Sequence, residues 1–185
     1  KPGSPFAFTY HHNELDAYLP VAVALLDARL VCTASLPCPG EMGASIHISG
    51  TRSSVVDTIF VCRSTGTVPR SQFQPDEDTL KKMLLRDLEQ LQDAGLSPSI
   101  GDARCLLFGH LVRLVVWQMR SKWQKDAPIR TKLESVEQSL QQIYPLDLLD
   151  QLANRVVSLL STVDLLANMR TRERKDVYVA DTISF

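Results

Sequence analysis

The residues best suited to chemistry are three polar side chains near the start of the chain, Tyr10, His11 and His12. They end the run Phe6–Thr9, whose aromatic and β-branched residues are typical of a buried strand. Open α/β sheets bind ligands outside the carboxyl ends of their parallel strands. The three side chains are therefore predicted to line a ligand cleft. The alternative is a turn that leads into a helix, with both imidazoles in solvent.

A second group of candidates lies between positions 113 and 132, where six basic residues accompany a single acid, Asp126. Basic side chains interleaved with aromatic ones suit contacts to nucleic-acid phosphates and bases. The predicted nucleic-acid contacts are Arg113, Trp117, Arg120, Lys122, Trp123 and Lys125. The alternative is a solvated helix end, where the helix dipole favours positive charge. The same two interpretations apply to a second basic cluster at positions 170–175.

The remaining polar residues give no pattern of a metal site or a nucleophile. His47 and His110 are isolated, and no pair of the four cysteines has the two-residue spacing of a zinc knuckle. Ser45 follows Gly43 at the spacing of a nucleophile elbow, but the glycine that should follow the serine is missing. Three of the cysteines lie in apolar surroundings, so buried free thiols in a reducing cytoplasm are expected.

Composition narrows the class of protein. The chain has 185 residues, 44% of them hydrophobic, and a net charge of −1. Overall charge therefore favours neither nucleic acid nor a membrane. The longest apolar runs are far shorter than a bilayer span, and the pattern of a signal peptide is missing. A cytoplasmic protein without a membrane partner is expected.

The first part of the chain predicts three strands. After Phe6–Tyr10, a helix with Pro20 in its first turn is expected to begin near Asp16. Strands are predicted at 30–36 and 55–62, separated by a polar loop from Glu41 to Ser54. The first two strands and their helix form a βαβ unit and should be parallel, whereas the third strand can return antiparallel. Because three strands make a poor independent sheet, they predict one edge of a larger doubly wound sheet. Asp57 marks either the start of the third strand or a position that faces the site.

The second part of the chain is helical. Asp76 is predicted to cap a helix that Gly95 stops, and Asp102 to cap a central helix that reaches about Trp123. Helices at 132–143 and 146–169 follow, with Pro145 between them, and a short strand is possible at 177–179. The predicted organisation is α/β over residues 1–75, followed by a helical domain or appendage over residues 76–185.

Several motifs of the first part resemble one enzyme family. They are KPG before the first strand, FTYHH at its end, LLDARL at the end of the helix, the Glu41-Met42 loop and DTIFVCR in the third strand. Together they resemble the closing part of the prokaryotic adenine-specific DNA methyltransferases that are grouped with the domain of unknown function numbered 1156. The resemblance implies the last three strands of a Rossmann-like class I methyltransferase sheet, parallel fifth and sixth strands and an antiparallel seventh. It also implies methyl transfer from S-adenosylmethionine to the exocyclic amine of adenine in DNA.

The chain departs from this family in two respects. Arg29 stands where the family has glycine before the sixth strand. The Gly-rich turn that holds the cofactor and the Asp-Pro-Pro-Tyr motif that holds the target amine are missing; in the family both precede the KPG turn. The chain is therefore expected to be a fragment that binds no cofactor alone and needs the remainder of the methyltransferase domain. The alternative function is a non-catalytic helical module that binds DNA or a protein partner.

Overall fold

The computed structural model describes residues 4–40, 54–64 and 76–160. In chain order the elements are β1 (Phe6–Tyr10), α1 (Leu19–Asp27), β2 (Leu30–Pro39), β3 (Val56–Ser64), α2 (Glu77–Asp93), α3 (Ile100–Met119) and α4 (Ile129–Ile143). The next helix, α5, covers residues 149–160. Short 3-10 turns at Leu15–Tyr18 and Leu146–Leu148 precede α1 and α5. Several expectations lie outside the described residues. They concern most of the loop after β2, Ser45 and His47, the basic cluster at 170–175 and the strand at 177–179.

The three strands form one sheet in the order β1-β3-β2. β3 pairs antiparallel with β1, where Phe60 lies opposite Phe8, and antiparallel with β2, where Cys62 lies opposite Cys32. β1 and β2 therefore run in the same direction, and the expected reversal of the third strand is confirmed. The two parallel strands are not direct neighbours, because β3 lies between them.

β2 is longer than its sequence predicts. Pro37 and Pro39 favour an end after Leu36, but the strand continues to Pro39. Among the described strands β2 pairs only with β3, and an edge strand tolerates proline because one row of its N–H groups is not needed for the ladder.

One face of the sheet is covered by α3, and the residues on the other face are half-buried or exposed. Along β3, buried residues alternate with half-buried ones from Val56 to Cys62, as in antiparallel sheets with one solvated face. The strand register aligns two rows of side chains on the less covered face, which we call the open sheet face: Thr9–Ile59–Leu36 and Ala7–Val61–Ala34.

The central helix of the molecule is α3, as predicted. Nearly all its residues from Gly101 to Trp117 are buried, and its core side chains join those of the sheet and of the other helices in one hydrophobic cluster. Its cap differs from the prediction. Ser99 is the N-cap, and Asp102 completes a capping box from the third helical position. The helix ends at Met119 rather than near Trp123, whose indole turns back toward α1.

The other helices confirm most of the predicted pattern. The Asp76 side chain caps α2 by accepting from the Thr79 N–H at 2.8 Å, and Gly95 follows the helix with a φ of +83°. Pro20 does lie in the first turn of α1. The expected start of α1 near Asp16 is wrong, because a 3-10 turn occupies that position, and no side chain caps the helix, which begins at Leu19.

The helical part packs on the sheet. Leu88 of α2, Leu140 of α4 and Leu152 of α5 belong to the same core as Phe60 of β3. His110 of α3 is buried beside α2, with its Nε2 2.9 Å from Asp87 Oδ2, although the angles are not those of a hydrogen bond. This setting agrees with a structural role for His110. The division of the chain at residue 75 stays a prediction.

The helix α3 lies very close to the sheet at Gly109. A Cβ atom at this position would lie 2.6 Å from Thr58 Cγ2 and 3.1 Å from Ser35 Oγ. Such distances are shorter than van der Waals contact, so the helix reaches the sheet only because residue 109 has no side chain. All three residues are buried, which leaves little room for relaxation.

We therefore expect Gly109→Ala to lower the free energy of unfolding by about 1–2 kcal/mol, since overpacking outweighs the gain in helix propensity. Urea denaturation measures the change. Thr58→Ser removes the nearest atom, so the double variant Thr58→Ser/Gly109→Ala should lose less stability than the sum of the single variants. Additive losses would contradict the proposed contact.

Candidate functional site

The candidate site lies where the end of β1, the start of β3 and the first turns of α3 meet. Tyr10 is the last residue of β1 and pairs with Thr58 of β3. His11 follows it, and its ring extends toward Asp57 and toward Cys105 of α3. The site is thus at the carboxyl end of a strand, as the sequence predicted.

His11 has the most suitable geometry for binding. Its Nδ1 lies 3.2 Å from the Val56 carbonyl oxygen, 3.5 Å from Asp57 Oδ1 and 3.6 Å from Cys105 Sγ. A carbonyl oxygen only accepts, so this hydrogen bond requires a proton on Nδ1. In the neutral ring the lone pair is then on Nε2, for which the described residues supply no partner. The side chain is 31% exposed, so Nε2 is available to a ligand.

Tyr10 and His12 hold the local chain in place. The Tyr10 hydroxyl donates to the Ala17 carbonyl at 2.9 Å, and its ring packs edge-on against Tyr18. His12 Nδ1 accepts from the Glu14 N–H at 3.1 Å. Both contacts are local and position the turn between β1 and α1. Of the three predicted cleft residues, His11 is the one whose ring contacts both β3 and α3.

Beneath His11 lies a buried polar cluster centred on Cys105. Its sulfur is 3.6 Å from the Tyr18 hydroxyl and 3.7 Å from Thr58 Oγ1. Burial is the main cause of a raised pKa for the Cys105 thiol, against hydrogen bonds that lower it. Burial likewise raises the pKa of Tyr18. Both groups keep their protons at neutral pH, so Cys105 is a poor nucleophile and serves here as support for the imidazole.

The carboxylate of Asp102 fixes the positions of the elements around this cluster. Its Oδ1 accepts from the Val55 N–H at 2.9 Å and lies 2.9 Å from Ser54 Oγ. Its Oδ2 accepts from the N–H and the hydroxyl of Ser99 at 2.8 and 2.7 Å. One buried carboxylate thus joins the N-terminus of α3 to the start of β3, next to the residues that contact His11.

Together these groups can bind a ligand that donates hydrogen bonds. His11 Nε2 and the Asp57 carboxylate are acceptors at the surface of the site, since the Asp57 side chain is 35% exposed. An amino group of a base or a hydroxyl of a ribose has the matching chemistry. In the described part of the chain, no three histidine, cysteine or acidic side chains are grouped so as to hold a metal ion.

His11 and Asp57 were identified as candidates from the sequence alone, whereas the buried residues beneath His11 were not. Cys105 is far from His11 in sequence and lies in an apolar segment, so only the fold shows that they meet. Asp102 was interpreted as a helix cap. The Ser99-x-x-Asp102 spacing indicates the capping box, but nothing local indicates its second role on β3.

The residues predicted to contact nucleic acid differ in their burial and in their partners. Trp117 is buried and donates from its indole to the Cys32 carbonyl at 2.8 Å. Trp123 donates to Asp27 Oδ1 at 2.9 Å. Arg113 is half-buried on α3, and burial lowers its pKa. The three remaining cations are Arg120, Lys122 and Lys125, near the end of α3 and beyond it.

Asp27, the last residue of α1, forms hydrogen bonds with α4 and with the segment that precedes α4. Lys132 Nζ lies 2.9 Å from both carboxylate oxygens of Asp27, and its charge sits 5.9 Å from the centre of the Trp123 ring. The hydrogen bonds from Lys132 and Trp123 hold the pKa of the Asp27 carboxyl below its usual range. The partners are 105 residues apart in sequence, so the pair was not predictable from local patterns.

All four cysteines are free thiols, and Cys32, Cys62 and Cys105 are buried, which confirms the expectation from their apolar surroundings. A search of the described helices for a segment long and apolar enough to cross a bilayer finds none.

Asp102→Ala should lower the free energy of unfolding by about 2–4 kcal/mol, because it removes the acceptor of the Val55 and Ser99 N–H groups and breaks the capping box of α3. Chemical denaturation measures the loss. Asp93→Ala is the matched control, since Asp93 is an exposed carboxyl at the end of α2 and should change stability by less than about 0.5 kcal/mol. Equal effects of the two substitutions would contradict the role given to Asp102.

A second prediction concerns acid. Because the folded-state pKa of Asp27 is depressed, its contribution to stability is complete above the unfolded value of about 4 and is lost as pH falls through the folded value. Thermal melting followed by tryptophan fluorescence below about pH 4 should show this loss. Asp27→Asn should flatten the acid limb, whereas Asp126→Asn, an exposed carboxyl on the segment before α4, should leave it unchanged. An unaltered acid limb in Asp27→Asn would refute the coupling.

Comparison of the chain with protein-family models, with curated proteins and with solved structures finds no match. A relationship to the methyltransferases is therefore supported only by the sequence motifs and by the arrangement of the strands, and it is a proposal.

Proposed function

We propose that this chain supplies the last three strands of a class I methyltransferase sheet that transfers a methyl group from S-adenosylmethionine to adenine N6 in DNA. The observation that carries the proposal is the direction of the strands. β1 and β2 run the same way and β3 runs against both, which is the pattern that the sequence resemblance implies for strands five, six and seven.

The edges of the sheet support the same proposal. Among the described residues no strand pairs with the outer edge of β1, and the open sheet face has no helix of the described part packed on it. A fourth strand could pair with the free edge of β1, and a second layer of helices could pack on the open sheet face. The remainder of a methyltransferase domain would provide both.

His11 gives the proposal a candidate residue. It lies at the carboxyl end of β1, where α/β sheets bind ligands, and its Nε2 and the Asp57 carboxylate can accept hydrogen bonds from the cofactor or from the target amine. Reaching that amine requires that the base be flipped out of the duplex. We assign His11 a binding role, because catalysis in this family is attributed to the Asp-Pro-Pro-Tyr motif, which this chain lacks.

The test begins with the genomic sequence that precedes the codon for Lys1. A Gly-rich turn and an Asp-Pro-Pro-Tyr motif there support the proposal, whereas a stop codon or an unrelated domain overturns it. If the motifs are present, the protein that includes them should bind S-adenosylmethionine in isothermal titration and transfer a tritiated methyl group to adenine. The chain of 185 residues alone should do neither.

In the joined protein, His11→Ala should weaken cofactor or DNA binding by about tenfold, the worth of one hydrogen bond to a ligand. His12→Ala is the matched control, because His12 is exposed and makes only a local contact. Equal binding by His11→Ala and the unchanged protein would remove His11 from the site without affecting the assignment of the fold.

A further inference from the structure

A cavity of about 300 Å³ lies at the end of the sheet opposite to His11. It is bounded by the end of α1, the start of β2 and the segment that follows α3. Its lining residues are Leu26, Arg29, Leu30, Arg120, Trp123 and Lys125. Leu30 pairs with Ser64 at one end of β3, whereas His11 contacts Val56 at the other. The volume is at the small end of the range for ligand pockets.

The cavity is strongly cationic. Three of its six lining residues are basic and none is acidic. Asp27 is close enough for the charge of Lys125 to help lower its pKa, but its two oxygens bind Lys132 and Trp123. Arg120 lies over the Trp117 ring at 4.4 Å and donates to the Trp117 carbonyl. No acidic side chain of the described residues forms an ion pair with Arg29, Arg120 or Lys125, so an anion in the cavity would meet three available charges.

Arg29 occupies its position at a cost in stability. It follows the end of α1 with a φ of +53° and donates its N–H to the Leu26 carbonyl at 3.0 Å. This left-handed conformation after a helix favours glycine, and other residues lose about 1 kcal/mol there. Strained residues cluster at functional sites, so the side chain of Arg29 is a candidate ligand contact.

We infer that this cavity binds the phosphate group of a nucleotide. Arginine and lysine are the side chains that bind phosphate oxygens most effectively, and the Trp123 indole offers an aromatic wall for the attached base. The same chemistry is present in a free nucleotide and in a nucleotide of a single-stranded nucleic acid. The inference does not depend on the proposed methyltransferase function, because the cavity is at the other end of the sheet.

The test is a fluorescence titration of the full chain with three probes: inorganic phosphate, adenosine monophosphate and a short oligothymidylate. Trp123 lines the cavity, so binding should change tryptophan emission. Binding of the monophosphate and its competition with the oligothymidylate indicate a site for free nucleotides. Binding of the oligothymidylate alone, with affinity that falls as salt rises, indicates a site for nucleic acid. If no probe binds, the inference is wrong.

Lys125→Ala and Arg29→Gly should each weaken binding by about five- to tenfold, and each should reduce the salt slope for the oligothymidylate by about 0.7. The matched control is Lys122→Ala, an exposed lysine of the same segment that does not line the cavity, and its affinity should not change. Equal losses in all three variants would show a diffuse charge effect and would overturn the assignment to the cavity.

Arg29→Gly also separates binding from folding. Because glycine relieves the left-handed conformation, the variant should melt at a higher temperature while it binds the probe more weakly. A loss of affinity with unchanged or raised stability supports the inference, since misfolding cannot explain it. Unchanged affinity in both Arg29→Gly and Lys125→Ala would refute it.

Discussion

The carboxylate of Asp102 fixes the position of the central helix α3 relative to the sheet. It is buried between the first turn of α3 and the start of β3, and four donors surround its oxygens. This attachment fixes where α3 begins relative to the sheet, and Gly109 then determines how closely the helix approaches it. The position of Cys105, and with it the support beneath His11, follows from these two constraints. Asp102, which the sequence suggests as a helix cap, thus also links the helix α3 to the sheet.

The two ends of the sheet have different chemistry. At the end with His11 and Asp57, the exposed groups are hydrogen-bond acceptors above a buried cluster of neutral donors. At the end with Arg29 and Lys125, the exposed groups are cations beside an indole. The net charge of −1 hides this separation, because composition averages over surfaces that lie a full strand length apart.

The sequence predicted those features of the fold that depend on residues close to one another in the chain. The strand at 56–62, the cap of α2 at Asp76 and the apolar character of α3 depend on near neighbours in the sequence, and the structure confirms each. The order of the strands and the roles of Trp117 and Trp123 depend on partners far along the chain. Basic and aromatic residues close in sequence suggested a single contact surface, but both indoles are engaged with polar groups of the first part. The positive φ of Arg29 was likewise invisible in the sequence, apart from the observation that glycine stands there in the family that it resembles.

Among the described residues no strand pairs with the outer edge of β1, and this has a practical consequence for the chain when it is produced alone. Phe6 is 52% exposed on this strand and Leu36 is 40% exposed on the open sheet face. No proline or charged side chain interrupts β1 between Phe6 and Tyr10, and these are the usual means by which proteins prevent edge strands from pairing with one another. At high concentration two such edges can pair with each other, which would join the three described strands of one chain to those of a second copy. Solubility would then depend on whether a partner strand occupies that edge first.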